Sequence, residues 1–292
     1  MADIGTLTEF SDGLARLVAG AAPSVVAIDG HKMQASGFVW APGWVVTADE
    51  ALGEGDAYSV TFAGGAQVAA TLHGRDPSTD VALLRLAEDS GTPAPLDADP
   101  ARTGALVLAL GASAGSSVAA FGVVSHVGPP WQSMRGGQID ARIDLGLRLD
   151  QRAEGGLALD MTGKAIGMNA FGARHAAIVI SSATVRRVAA QLQAHGRIAR
   201  GYLGIGLQPV AVAGQDHPCG MVISVDADGP AAKAGVHQGD IVVALDRAAL
   251  TRVQHLSARL GPETVGKVLV LALIRAGAAL DLTVTVGERP VA

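Results

Sequence analysis

A chain of 292 residues with 49% hydrophobic and 17% charged side chains can bury more than one core, and it carries too much apolar surface to stay disordered. Its formal net charge of −5, with Lys and Arg scattered, offers no basic stripe for a phosphate backbone and leaves nucleic acid outside the expected partners. The single cysteine, Cys219, excludes an internal disulfide and any multi-cysteine metal site, while 38 glycines beside 3% aromatics favour short strands and tight turns over a helical bundle.

In chain order, the apolar stretch GLARLVAGAAPSVVAI is interrupted by Arg16 and Pro23 and follows no basic segment, so neither a membrane span nor an export signal is expected. TEFSDGLARLVA, residues 8–19, has helical spacing. From Ser24 to about Ile180 the chain reads as short β-runs: SVVAID, SGFVWA, WVVTA, YSVTFA, QVAATLHG, DVALLRL, LVLALG, VAAFGVVSHV, LALD, AIGMNA and AAIVI. Gly, Pro, Asp or Ser punctuates most of them, and no helix intervenes, which predicts an antiparallel barrel or a pair of barrels. SATVRRVAAQLQAHG follows as an amphipathic helix, with Ser182 as its N-cap and Gly196 as its end. The boundary is placed at RIARGYLG, giving domains 1–199 and 200–292. Beyond it, YLGIGL, GMVISVD, GDIVVALD, KVLVLALIR and LDLTVTV read as strands around two helical segments, GPAAKAG and TRVQHLSARL.

The second domain resembles a PDZ domain of the bacterial HtrA type, on YLGIGL and GPAAKAGVHQGDIVVALD. The resemblance implies that the amides of Leu203, Gly204 and Ile205, next to Tyr202, cradle a peptide's terminal carboxylate. The peptide would add as a strand beside residues 204–208, Leu207 included, against Val253, Leu256 and Leu260. The first domain resembles the chymotrypsin-like protease domain of the same family on three segments: SGFVWAPGWVVTADEAL, DPSTDVALLRL and EGGLALDMTGKAIGMNA. The implied fold is mostly β, two six-stranded antiparallel barrels followed by the PDZ domain.

Carried over residue by residue, the resemblance places Asp80 at the catalytic aspartate, Glu50 where the histidine belongs and Glu154 where the serine belongs, within Arg152-Ala153-Glu154-Gly155-Gly156. A glutamate lacks the two nitrogens that face nucleophile and aspartate together, and Glu154 has no hydroxyl to activate. Arg152 stands at the motif's first glycine, a substitution expected to disturb the oxyanion cradle. His31, His73, His126 and His175 fall at no motif position and are expected in loops or strands; Ser36, Ser113 and Ser116 read as turn formers.

The leading expectation is a pseudoprotease that binds C-terminal peptides or protein partners through its PDZ domain, as scaffold, chaperone-like binder or regulatory subunit. Homo-trimers or mixed assemblies with an active relative follow from the resemblance, with Phe10 as the aromatic anchor of the N-terminal segment. The alternative is a carboxylate- or metal-dependent hydrolase using Glu50, Asp80 and Glu154. No cofactor and no metal are expected. Three converging carboxylates need an offset, and an arginine from Arg152 or Arg148 is the first choice, ahead of a cation and a shared proton; Glu50 and Glu154 turned outward into water stand as an equal alternative to any such cluster. The compartment is expected to be cytoplasmic if Met1 is the native start, and periplasmic if a leader has been removed.

Overall fold

Runs of Val, Ala and Leu broken every few residues by glycine or aspartate can satisfy their backbones only as short paired strands, and the first six close on themselves. The structure, a computed structural model, describes residues 4–29, 34–96, 100–253, 256 and 259–290. Strands β1 (Val25–Asp29), β2 (Gln34–Ala41), β3 (Trp44–Thr47), β4 (Ala57–Thr61), β5 (Gln67–Asp76) and β6 (Val81–Leu86) form a closed antiparallel barrel in the order β1-β2-β3-β6-β5-β4. Val26, Ile28, Val45, Val60 and Leu84 fill one cluster. Residues of opposite parity on the same strands, Phe38, Val46 and Leu83, enter a larger cluster shared with the second barrel. Burial on both faces explains the nearly unbroken apolar runs. Each such side chain contributes about 1.5–3 kcal/mol.

The second barrel comprises β7 (Leu106–Ser113), β8 (Ser116–Gly128), β11 (Arg142–Gly146), β12 (Leu157–Leu159), β13 (Ala165–Phe171) and β14 (Ala177–Ser181), ordered β11-β14-β13-β12-β7-β8. Two short strands, β9 (Trp131–Gln132) and β10 (Gln138–Ile139), make a small hairpin between β8 and β11. Strand β11 is absent from the sequence expectation. Its inward residues are Ile143 and Leu145, while Arg142 and Asp144 pair with each other at 2.7 Å and hide the alternation.

Helix α1 spans Ile4–Ala21, longer at both ends than 8–19. Helix α2 (Ser182–His195) packs Val185, Val188 and Leu192 into the shared core. Its cap is Ser181, one residue before the expected Ser182: the Ser181 hydroxyl accepts the Thr184 amide, and Gly196 closes the helix at φ 68°.

Contacts divide the chain into units 1–198 and 199–292. The second contains β15 (Gly201–Tyr202), β16 (Ile205–Val210), β17 (Cys219–Val225), α3 (Pro230–Lys233), β18 (Ile241–Leu245), β19 (Ala248–Ala249), β20 (Val268–Arg275), β21 (Ala278–Thr285) and β22 (Gly287–Glu288). The main sheet runs β16-β17-β18-β20-β21, leaving β16 on an edge. Of the expected helix 251–260, Leu256 and Arg259 are helical, and 254, 255, 257 and 258 lie outside the described residues. Asp240, 2% exposed, is forked by the Arg275 guanidinium at 2.7 Å and accepts the His237 amide at 2.8 Å. The Arg275 hydrogen bonds hold its carboxyl below the usual range.

Candidate functional site

Glu50 follows β3, Asp80 precedes β6, and Glu154 leaves a 3-10 turn over Gln151–Ala153. Asp80 adopts φ 59°, and its carboxylate accepts the Glu50 amide at 2.8 Å while its carbonyl accepts the Asp49 amide at 3.3 Å. Those two bonds clamp the exit of β3 to the entry of β6. On the other side, the Ser36 amide donates to the Glu154 carbonyl at 2.9 Å, and the Thr47 hydroxyl donates to the Ser36 carbonyl at 2.6 Å. Gly155, at φ 79°, fits between them: a Cβ there would lie 2.3 Å from the Ser36 oxygen and 2.8 Å from the Ala48 nitrogen. The fold therefore brings residues 50, 80 and 154 together.

Ser36 corrects an expectation. It lies within β2, fully buried, where its hydroxyl accepts the Ala112 amide at 2.8 Å and donates to the Arg152 carbonyl. It pins the 152–154 loop to both barrels. Ser113 and Ser116 flank the β7–β8 turn. His73 and His126 are exposed on β5 and β8, His175 is exposed at the end of the short 3-10 turn Ala173–His175, and His31 lies outside the described residues.

Burial, opposed by the Glu50 amide and reinforced by the Glu50 and Glu154 charges, pushes the Asp80 carboxyl up to about 7. Burial first, and the Glu50 charge second, push Glu154 up to about 7 as well. Neighbouring Asp49 is also raised by burial, which outweighs the Arg75 guanidinium 3.0 Å away. The expected offset from Arg152 or Arg148 is not what forms. Arg152 forks back onto Asp150 at 3.0 and 2.8 Å. The arginine that reaches a site glutamate is Arg135, 3.3 Å from Glu50. It rides on the β9–β10 hairpin, which is tied to the 77–80 turn by Arg135 to the Pro77 carbonyl and by Ser133 to the Ser78 carbonyl. An arginine between Met134 and two glycines in a polar loop was the available signal. Its partner lies 85 residues upstream, beyond any local pattern.

Arg152 also differs from expectation. It sits within a right-handed 3-10 turn, with no positive φ, because Asp150 caps that turn. Arg152 N–H donates to the Asp150 carboxylate (2.9 Å), Ala153 N–H to the Asp150 carbonyl (2.9 Å) and Glu154 N–H to Gln151 (3.1 Å). Gly155 N–H donates to Asn169 (2.9 Å) and Gly156 N–H to Ala153 (3.1 Å). Every amide from 152 to 156 is committed inside the protein. Among the described residues, no group of three or more His, Cys, Asp or Glu side chains is gathered to hold a metal ion.

In the second unit, Gly204 turns at φ 77° between Leu203, 2% exposed, and the start of β16. Among the described residues the amides of Leu203 and Gly204 have no backbone acceptor, whereas their carbonyls accept from Ala231 and Asp226. Tyr202 donates its hydroxyl to Asp226 at 2.8 Å. Ile205 and Leu207 are half-buried on the edge strand; Leu256 and Leu260 are buried in the unit's core, and Val253 is half-buried.

Residues 35–168 match the trypsin-like peptidase domain family, and residues 201–286 match the PDZ domain family. The two barrels and the edge-stranded sheet, in that order along the chain, are this combination. The chain joins a trypsin-like peptidase domain to a PDZ domain. A "Probable periplasmic serine endoprotease DegP-like" from Brucella suis biovar 1 (strain 1330) is 31% identical over 281 residues, covering 89% of this chain and 54% of that protein. A protein of the same description from Bartonella henselae is 29% identical, with 87% and 52% covered. The chain thus spans about half the length of these curated relatives. Among solved structures, the HtrA-type protease AlgW with decapeptide superimposes with a TM-score of 0.77 at 22% identity, covering 95% of this chain and 99% of that one. A serine endoprotease from Yersinia pestis gives a TM-score of 0.76 at 24% identity, with 94% and 98% covered. Among the described residues no helix is long and apolar enough to cross a membrane.

The raised carboxyls set a pH dependence. Both groups take up protons on folding between their ordinary range near 4 and about 7, so stability falls as pH rises through that window and is lowest above it. Asp80→Asn keeps an oxygen for the Glu50 amide and tolerates φ 59°, and Glu154→Gln is nearly isosteric. Each variant is expected to raise the melting temperature at pH 8 by roughly 2–6 °C, about 1–2 kcal/mol after allowing for solvent screening, and to change it little at pH 4. Equal shifts at both pH values in thermal melts would refute the assignment.

Proposed function

We propose that this HtrA-type protein binds peptides or protein partners through its PDZ domain and does not hydrolyse peptides by serine-protease chemistry. The observation that carries the reading is the state of the 150–156 loop. Glu154 occupies the place of a nucleophile, Glu50 that of a base, and the amides that would receive an oxyanion are all engaged elsewhere. Acyl transfer needs a hydroxyl or thiol, a base with a pKa near the working pH and free donors at the developing charge. The first and third are missing here.

The binding half rests on the edge position of β16 and on the amides of Leu203 and Gly204, which have no backbone acceptor among the described residues, a geometry suited to strand addition and carboxylate capture. A solved HtrA-type relative was determined with a decapeptide, in keeping with such use. The periplasm, named in the descriptions of the relatives, is the compartment included in this reading. Self-association also belongs to it: Leu7 and Phe10 remain 60% and 45% exposed on α1, and Phe10 stacks edge-on against Phe121 at 5.6 Å. An apolar face of that kind suits a homo-trimer or a mixed assembly with an active relative.

One observation favours a second reading, a carboxylate-dependent hydrolase: Asp80 and Glu154 both titrate near 7, where a carboxyl can serve as general acid or base. One set of measurements separates the two. The proposed function predicts no casein or peptide cleavage from pH 4 to 8, and binding of a peptide with an apolar C-terminal residue that weakens about tenfold or more on amidation. Cleavage abolished by Glu154→Ala would establish the hydrolase instead. Equal binding of free and amidated peptides would remove the PDZ groove from the account.

A further inference from the structure

Beside the 150–152 turn lies a cavity of about 870 Å³ in the second barrel. Leu147 and Phe171 give it apolar wall, while Arg148, Asp150, Arg152 and His175 give it charge and polarity. The two arginines differ in engagement. Arg152 is held by Asp150 through both its Nε and a terminal nitrogen, at 3.0 and 2.8 Å. Arg148 is exposed and, among the described residues, makes no ion pair, although its charge acts on Asp150. One carboxylate thus faces two guanidinium groups, and the cavity has cationic capacity left over.

The opposite rim is held in an uncommon conformation. Arg174 and His175 both take positive φ, 59° and 55°, successive left-handed residues without a glycine. Side chains rarely adopt that backbone, and it persists where the surroundings enforce it. His175 stacks edge-on with Phe171, their ring centroids 5.8 Å apart, which fixes the imidazole at the cavity wall.

We propose that this cavity binds an organic carboxylate, whose anionic end is taken by Arg148 and Arg152 while its apolar body lies against Leu147 and Phe171. A guanidinium presents paired donors that match a carboxylate, and two of them around one anion favour it over a neutral isostere. Asp150 is the internal competitor for the same donors, and the Arg152 hydrogen bonds hold its carboxyl down to about 2, so it competes as an anion at every physiological pH. The carboxylate can come from a free aliphatic acid or from a glutamate side chain within a peptide. The inference stands apart from the proposed function, because the cavity lies wholly in the first unit and requires no free C-terminus.

Calorimetric titration of the full chain tests it, with hexanoate, its neutral isostere hexanamide, and a glutamate-containing peptide blocked at both ends so that it offers no terminal carboxylate to the PDZ domain. Hexanoate or the blocked peptide is expected to bind at least about tenfold more tightly than hexanamide, and the one that binds identifies the source of the carboxylate. Arg148→Gln, at an exposed and unpaired position, should weaken binding several-fold without disturbing the fold. Arg148→Gln with Arg152→Gln should abolish it. Asp150→Asn keeps an oxygen to cap the Arg152 amide but removes the competing charge, so it should tighten binding about tenfold, a gain that damaged folding does not produce. The proposal is overturned if neither anion binds, if hexanamide binds equally well, or if the arginine variants and Asp150→Asn leave affinity unchanged.

Discussion

The double variant Glu50→His, Glu154→Ser is expected to cleave casein at no more than about one ten-thousandth of the rate of a competent serine triad. It restores a base and a hydroxyl beside Asp80, yet leaves the turn that consumes the Arg152 and Glu154 amides. Loss of one oxyanion donor costs roughly a hundredfold to a thousandfold, and two are engaged here. The side chain holding the turn is Asp150, which caps the Arg152 amide and grips the Arg152 guanidinium. Adding Asp150→Ala and Arg152→Gly to the double variant should therefore raise the rate at least about tenfold, because it removes that cap and restores a flexible residue. Protease assays on the purified variants, with thermal melts to confirm folding, decide the matter. Efficient cleavage by the double variant alone would show that the loop rearranges freely and that its amides are not the obstacle.

Gly155→Ala is expected to destabilise the first unit by at least about 3 kcal/mol, or to fold only with the loop displaced from β2. Two causes act together. At φ 79° a side chain is strained in any surroundings, and the added carbon would sit 2.3 Å from the Ser36 carbonyl oxygen and 2.6 Å from the Thr47 hydroxyl. Relief requires breaking the hydrogen bond from the Ser36 amide to Glu154 or moving β2, whose own Phe38 is fully buried. Chemical denaturation monitored by circular dichroism reads the loss, and Gly214→Ala is the control: φ there is 81°, but nothing lies within 4 Å of the added carbon. Equal small losses at both glycines would mean that the close approach at 155 is not a constraint.

Much of the architecture was legible because it is written in local chemistry. Val- and Leu-rich runs separated by turn residues specified eleven of the twelve barrel strands, and Gly196 marked the end of α2, since a left-handed cap leaves few alternatives to glycine. The residue types at 50, 80 and 154 already excluded a hydroxyl nucleophile and an imidazole base at those positions. Other features were invisible at short range. Strand β11 hid because Arg142 and Asp144 satisfy each other on its outer face, and Ser36 read as a turn residue because its partners Ala112 and Arg152 are 76 and 116 positions away.

The composition of the site was therefore set by the sequence, and its electrostatics by the tertiary structure. Which arginine meets Glu50 depended on where the β9–β10 hairpin packs, so Arg135 arrived there while nearby Arg152 turned back to Asp150. Whether the carboxyls of Asp80 and Glu154 are charged near neutrality depended on how much water the two barrels exclude around them. Desolvation and charge coupling fall off over a few ångströms in space, and only the folded chain sets those distances.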